Sequence, residues 1–133
     1  MKKITLIVIL MLVMKYGNGQ SLYVEPILTP ANYVAYSSQE TDVMSENYKL
    51  TPQQYQAIAR ANLDYCHTVI IAGSYGNDSP VKLIKNLELR ETFRPRYKAL
   101  LTKKQYQLYC TDMNRLTLMI HHRIVQYKKN KVN

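Results

Sequence analysis

The feature that most constrains the fold of this chain is a helix-start signal that occurs twice, at Leu50 and again at Leu101. In the first copy, Thr51 can cap a helix N-terminus through its side-chain oxygen, and Pro52 suits the first helical position because it lacks an N–H. Gln54 lies three residues after the threonine, which completes a capping box. Several signals therefore predict the same helix start.

Apolar side chains at helical spacing follow both copies. The face after the first copy consists of Tyr55, Ile58, Cys66, Val69, Ile70 and Gly73, with Asn62 as a polar interruption. In the second copy Thr102 and Gln105 occupy the capping positions. The face after it consists of Tyr106, Tyr109, Met113, Leu116, Ile120, Ile124 and Tyr127. This period predicts two long helices. The β-branched run from Thr68 to Ile71 leaves a short strand as an alternative there, but the chain offers no similar strand to pair with it.

A third helix is predicted between these two. Residues 73–80 are dense in turn-forming residues, and Asp78 or Ser79 can cap a helix in which Pro80 lies near the first position. Pro95 lies within the apolar pattern of this helix. Because proline removes a backbone hydrogen bond and crowds the preceding turn, we expect a kink or a break there.

Residues 1–19 have the order of segments that is typical of a secretory signal peptide. Two lysines precede a largely apolar run of eleven residues, and small residues follow it. A helix needs roughly 20 apolar residues to cross a bilayer, so a retained anchor is the weaker interpretation. We expect cleavage after Gly19 or Gln20, export to the periplasm or beyond, and no stable membrane anchor afterwards.

The segment between the signal peptide and the first motif lacks a sustained apolar period. Residues 20–49 contain two prolines and scattered polar residues, which predicts an extended or disordered arm. Several tyrosines in this arm are able to dock part of it on the helices. The helical domain is then predicted to span residues 50–133.

Positive charge is concentrated in the second half of the chain. The sequence has 18 Lys and Arg against 9 Asp and Glu, and 13 of the basic but only three of the acidic residues lie from Lys82 onward. Such polarised charge attracts acidic partners. The predicted partner-binding residues are Arg90, Phe93, Arg94, Arg96, Tyr97, Lys98, Lys103 and Lys104. The alternative is a solvated helix surface in which Phe93 and Tyr97 belong to the core.

The sequence does not favour catalysis or metal binding. Its cysteines and histidines, Cys66, His67, Cys110, His121 and His122, fit no established zinc spacing, and adjacent residues on a helix do not face each other. We expect no enzyme activity, no metal and no cofactor, and export argues against nucleic acid as a partner. In an oxidising compartment Cys66 and Cys110 are expected to form an internal disulfide, with a disulfide between subunits or two buried thiols as alternatives.

The duplicated Leu-Thr-x-x-Gln motif resembles the Spy/CpxP-like family of periplasmic proteins, also called the LTxxQ family. The residues that carry the resemblance are Leu50, Thr51, Gln54, Leu101, Thr102, Gln105 and the stretch 93–100 that leads into the second copy. The resemblance covers roughly residues 50–123. It implies a thin, curved, all-α fold that dimerises into a cradle, with ATP-independent chaperone or envelope-stress functions.

The expectation for the fold is an all-α protein with three main helices in a thin, curved, hairpin-type bundle. Three helices with one apolar stripe each cannot bury much surface alone, which favours a symmetric homodimer. The expected partners are unfolded or partly folded proteins. Two alternatives are a regulatory protein that binds one envelope stress sensor and a structural envelope protein without clients.

Overall fold

The structure is a computed structural model that describes residues 28–75 and 79–132. These residues form four α-helices: α1 (Tyr33–Tyr48), α2 (Pro52–Ala72), α3 (Pro80–Leu100) and α4 (Lys103–Val132). The described ranges contain no strand, which confirms the all-α class. The predicted signal peptide at 1–19, with its cleavage site, lies outside the described residues.

The first helix corrects the prediction for the N-terminal arm. Residues 33–48 of the predicted extended or disordered segment 20–49 form α1, so the described chain has four helices and not three. The buried residues of α1 recur every three or four positions, but half of them are polar: Tyr36, Ser37, Glu40, Thr41, Met44 and Tyr48. Hydrophobic periodicity does not reveal such a helix, because polar side chains occupy part of its buried face.

The predicted helix starts are confirmed. Thr51 Oγ1 accepts a hydrogen bond from the N–H of Gln54 (3.2 Å), and Gln54 Oε1 accepts one from the N–H of Thr51 (3.0 Å). Thr102 and Gln105 make the same two bonds at the start of α4, at 3.2 and 2.9 Å. Ser79 caps α3 through its hydroxyl, which accepts a backbone N–H at 3.3 Å. These bonds satisfy N–H groups that have no partner inside the helix.

The structure also decides the alternatives for the β-branched run at residues 68–71 and for Pro95. The β-branched run at residues 68–71 is helical and belongs to α2, which ends at Ala72 and is capped by Gly73 in the left-handed conformation (φ 66°). Glycine adopts this conformation without the strain that a Cβ would cause. Of the two outcomes expected at Pro95, a kink or a break, the break does not occur, since α3 continues through it to Leu100.

Successive helices are neighbours in space. The main helix contacts are α1 with α2, α2 with α3, and α3 with α4. Only Lys49 to Thr51 separate α1 from α2, and the ring of Tyr33 near the start of α1 stacks on His67 near the end of α2 at 5.8 Å. The chain therefore reverses direction between these helices.

The core consists of two clusters. The larger cluster joins all four helices: Met44, Tyr48, Ile58, Ala61, Leu83, Tyr97, Leu101, Tyr109, Met113, Leu116, Ile120 and Ile124. The smaller one contains Tyr36, Tyr65, Cys66 and Val69 of α1 and α2. Phe93 on α3 is half-buried and packs against both clusters. The buried face of α4 is the one that its apolar period predicts.

Candidate functional site

The two motif copies meet at one end of the molecule. Gln54 Nε2 donates to Gln105 Oε1 (2.7 Å), and Gln105 Nε2 donates to Gln54 Oε1 (3.0 Å). Each Nε2 also donates to the carbonyl of the residue that ends the helix before the other motif copy. For Gln54 this is Leu100 (3.2 Å), and for Gln105 it is Tyr48 (3.1 Å). The two copies are thus joined through a reciprocal amide pair.

This arrangement uses the full hydrogen-bonding capacity of both glutamines. A glutamine amide has two N–H donors and an oxygen that accepts twice. In Gln54 and Gln105 the oxygen accepts from the cap threonine N–H and from the other glutamine, while the nitrogen donates to the other glutamine and to a carbonyl. No group in the pair is left to bind a ligand. The motif glutamines are therefore structural residues.

Asn62, which interrupts the apolar face of α2, is the centre of a buried polar network. Its Nδ2 donates to Thr41 Oγ1 on α1 (2.9 Å), and its Oδ1 accepts from the hydroxyl of Tyr97 on α3 (2.6 Å). Thr41 Oγ1 in turn donates to the carbonyl of Ser37 (2.8 Å). Burial raises the pKa of Tyr97 well above its ordinary value, so this hydroxyl stays a donor. The network links three helices.

A buried ion pair joins α1 to α3. Arg90 Nη1 lies 3.4 Å from Glu40 Oε1, and the guanidinium carbon lies 4.3 Å from the ring centre of Tyr65. Burial raises the pKa of the Glu40 carboxyl, and the charge of Arg90 opposes that rise. Burial also raises the pKa of Tyr65 to about 12. The second carboxylate oxygen of Glu40 is buried without a hydrogen bond from the described residues, which is unfavourable for its charged form.

Three of the eight predicted partner-binding residues have packing roles. The side chain of Arg90 is 11% exposed and belongs to the ion pair with Glu40, while Tyr97 is 4% exposed and belongs to the core. Phe93 is half-buried and meets the ring of Tyr65 edge-on at 5.6 Å. Their sequence pattern does not separate a binding role from a core role, because both require aromatic residues at helical spacing.

The other five residues reach the surface. Arg94 and Arg96 are half-buried and form ion pairs at 2.7 Å with Glu91 and Asp64, respectively. The remaining three cations are exposed: Lys98, Lys103 and Lys104. The Lys98 ammonium lies 5.8 Å from the ring centre of Tyr106, near enough for a weak cation–π contact. We call Lys98, Lys103, Lys104, Arg94 and Tyr106 the basic patch.

The two cysteines are free thiols, so the predicted internal disulfide is not formed. Cys66 is fully buried in the smaller core cluster on α2, and burial raises the pKa of its thiol. Cys110 on α4 packs against the larger cluster and lies 3.6 Å from Arg94 Nη1. The α3 helix contacts both α2 and α4. Its Phe93 packs against the cluster that contains Cys66, and its Arg94 lies beside Cys110.

Within residues 28–75 and 79–132, no group of three or more Cys, His, Asp or Glu side chains is placed to hold a metal ion. None of the four described helices combines the length and the apolar character needed to cross a bilayer. Comparison of the chain with protein-family models, curated proteins and solved structures found no match. The resemblance to the LTxxQ family therefore depends on the motif residues and their sequence context.

Proposed function

We propose that this protein is exported to the bacterial envelope and binds unfolded or partly folded proteins there without ATP. The observation that supports this proposal is the basic patch, in which Lys98, Lys103 and Lys104 are exposed and Lys98 lies beside the half-buried ring of Tyr106. Charge attracts acidic segments of a client from a distance, and aromatic and aliphatic surface then holds varied sequences.

The position of the basic patch suits this role. Lys103 and Lys104 occupy the first turn of α4, directly after the capped start. Lys98 lies in the last turn of α3, on the other side of the short connection. The reciprocal glutamine pair holds this end of the molecule together, so the lysines are presented without any rearrangement of the core. An acidic client segment therefore meets a preorganised surface.

The proposal is tested by the suppression of aggregation of an unfolding test protein without ATP. We expect the protein without its signal peptide to suppress aggregation at near-stoichiometric ratios. The suppression should be weaker at high salt, because screening weakens the attraction between exposed charges. The variant Lys98→Gln/Lys103→Gln should lose much of this effect. The matched control is Lys128→Gln/Lys129→Gln, which removes the same charge near the C-terminal end of α4 and should retain the activity.

Other outcomes distinguish the alternatives. No suppression at any salt concentration, or an equal loss in both double variants, contradicts client binding through the basic patch. A single saturable partner in envelope extracts would favour the regulatory protein, whereas a broad set of partners favours the chaperone. The mass of the exported protein tests export itself, since cleavage after Gly19 or Gln20 predicts two specific values.

A further inference from the structure

The side of α4 that faces away from α3 carries a regular line of exposed side chains, most of them cationic or aliphatic. Eight residues at alternating spacings of four and three form this outer stripe: Lys104, Leu108, Thr111, Arg115, Leu118, His122, Val125 and Lys129. All eight are exposed. At 1.5 Å per residue, the line extends for roughly 38 Å.

The outer stripe lies opposite the buried face of the same helix. The buried residues of α4 are Tyr109, Met113, Leu116, Ile120 and Ile124. Since α4 turns about 100° per residue, positions such as 118, 122 and 125 point away from that face. Leu118 is 71% exposed, Val125 48% and Leu108 43%. Aliphatic side chains are thus accessible here while the core stays intact.

The charge of this region has one sign. The sequence contains no Asp or Glu after Asp112, whereas residues 113–132 contain five Lys or Arg. Among the described residues, no carboxylate lies within ion-pair distance of Lys104, Lys128 or Lys129. Arg115 has only a distant contact with Asp112, at 3.9 Å. The stripe and its flank therefore attract an anionic partner.

We propose that the outer stripe of α4 docks on the surface of an anionic lipid bilayer. Long lysine and arginine side chains reach the phosphate level of the lipid headgroups, while Leu118 and Val125 enter the boundary with the acyl chains. A polyanion such as a polysaccharide offers no apolar phase for these two side chains. The combination of cations with accessible aliphatic residues along one straight line therefore favours a lipid surface.

The shape of the region also favours a flat partner. A single exposed helix is convex, and the groove beside the stripe, lined by Leu118, Met119, His122, Arg123 and Gln126, is shallow. A peptide bound along a ridge of this kind would leave most of its own surface in water. A bilayer contacts the full length of the stripe without a groove.

The test is sedimentation with vesicles of phosphatidylcholine that contain or lack phosphatidylglycerol, with the protein purified as exported. We expect binding only to the anionic vesicles and a decrease with salt. The variant Lys104→Gln/Lys129→Gln, which removes two cations of the stripe, should lower the partition coefficient about 25-fold, because each cation near an anionic surface contributes about fivefold. The variant Leu118→Gln/Val125→Gln should lower it about tenfold, since it removes the inserting groups.

Lys98→Gln/Lys103→Gln is the matched control, because it removes the same charge outside the stripe and should bind vesicles nearly as well as wild type. Circular dichroism establishes that each variant is folded. Three results would overturn the proposal: absence of binding to anionic vesicles, an equal loss in the control, or binding that is insensitive to Leu118 and Val125 and is competed by a soluble polyanion. A dimer that dissociates in the stripe variants would assign this face to a second copy of the chain instead.

Discussion

Replacing the motif glutamines with alanine, singly and together, tests whether the two copies stabilise each other across the molecule. Each side chain takes part in four hydrogen bonds, of which two are shared in the reciprocal pair. A hydrogen bond contributes about 0.5–1.5 kcal/mol net, and water replaces part of this at a half-buried site. We therefore expect Gln54→Ala and Gln105→Ala each to lower the free energy of unfolding by about 2 kcal/mol.

The double variant should lose only about 3 kcal/mol, since either single variant already breaks the two shared bonds. The coupling energy of about 1 kcal/mol is measured from urea unfolding followed by circular dichroism. Thr51→Ala and Thr102→Ala provide the control, because each removes a cap bond within its own helix and the two losses of about 1 kcal/mol should add. Strictly additive losses for the glutamines would refute the argument that the motif copies cooperate.

Three further predictions concern buried groups. Tyr97→Phe should lower the free energy of unfolding by about 1–3 kcal/mol in urea titrations, since it leaves the buried Oδ1 of Asn62 without its donor; a loss below about 0.5 kcal/mol would contradict this. The pKa of Glu40 is higher in the folded protein than in the unfolded chain, so its stabilising contribution is present below pH of about 4.3 and is lost as the pH rises through the folded value. The free energy of unfolding of wild type minus that of Glu40→Gln should therefore fall as the pH rises through this range. A difference that does not change with pH would show that burial does not perturb this carboxyl. A thiol reagent should label Cys110 in the native protein and Cys66 only after unfolding. The absence of any free thiol would instead support the predicted disulfide.

The roles of individual residues show how far sequence reasoning reaches. Thr51 and Gln54 were predictable as a capping box because both partners lie within three residues, where spacing determines geometry. The bond from Gln54 to Gln105 spans 51 positions, and no local pattern indicates it. The repetition of the motif was the available signal, since two helices that begin with the same capping residues are able to pair at those ends.

The sequence predicted only part of the basic patch. Composition identified the cations around the second motif, but exposure depends on which face of α3 meets its neighbours. Arg90 lies inside because Glu40 and Tyr65 are there to receive it. Lys98 has a weak contact with the Tyr106 ring but no carboxylate partner among the described residues, and it stays in solvent. Contacts made by other helices therefore decide whether a charged residue lies at the surface or in the core.

The sequence by itself determined the all-α class, the starts of α2, α3 and α4, and the buried face of α4. These features depend on short-range capping and on a helical period, which operate within one segment of chain. The tertiary structure alone decided that residues 33–48 form a helix, that Asn62 is the centre of a buried network, and that the two motif copies bond to each other. In each of these cases a polar side chain is buried or half-buried, and its cost is offset by a partner that lies far away in the sequence.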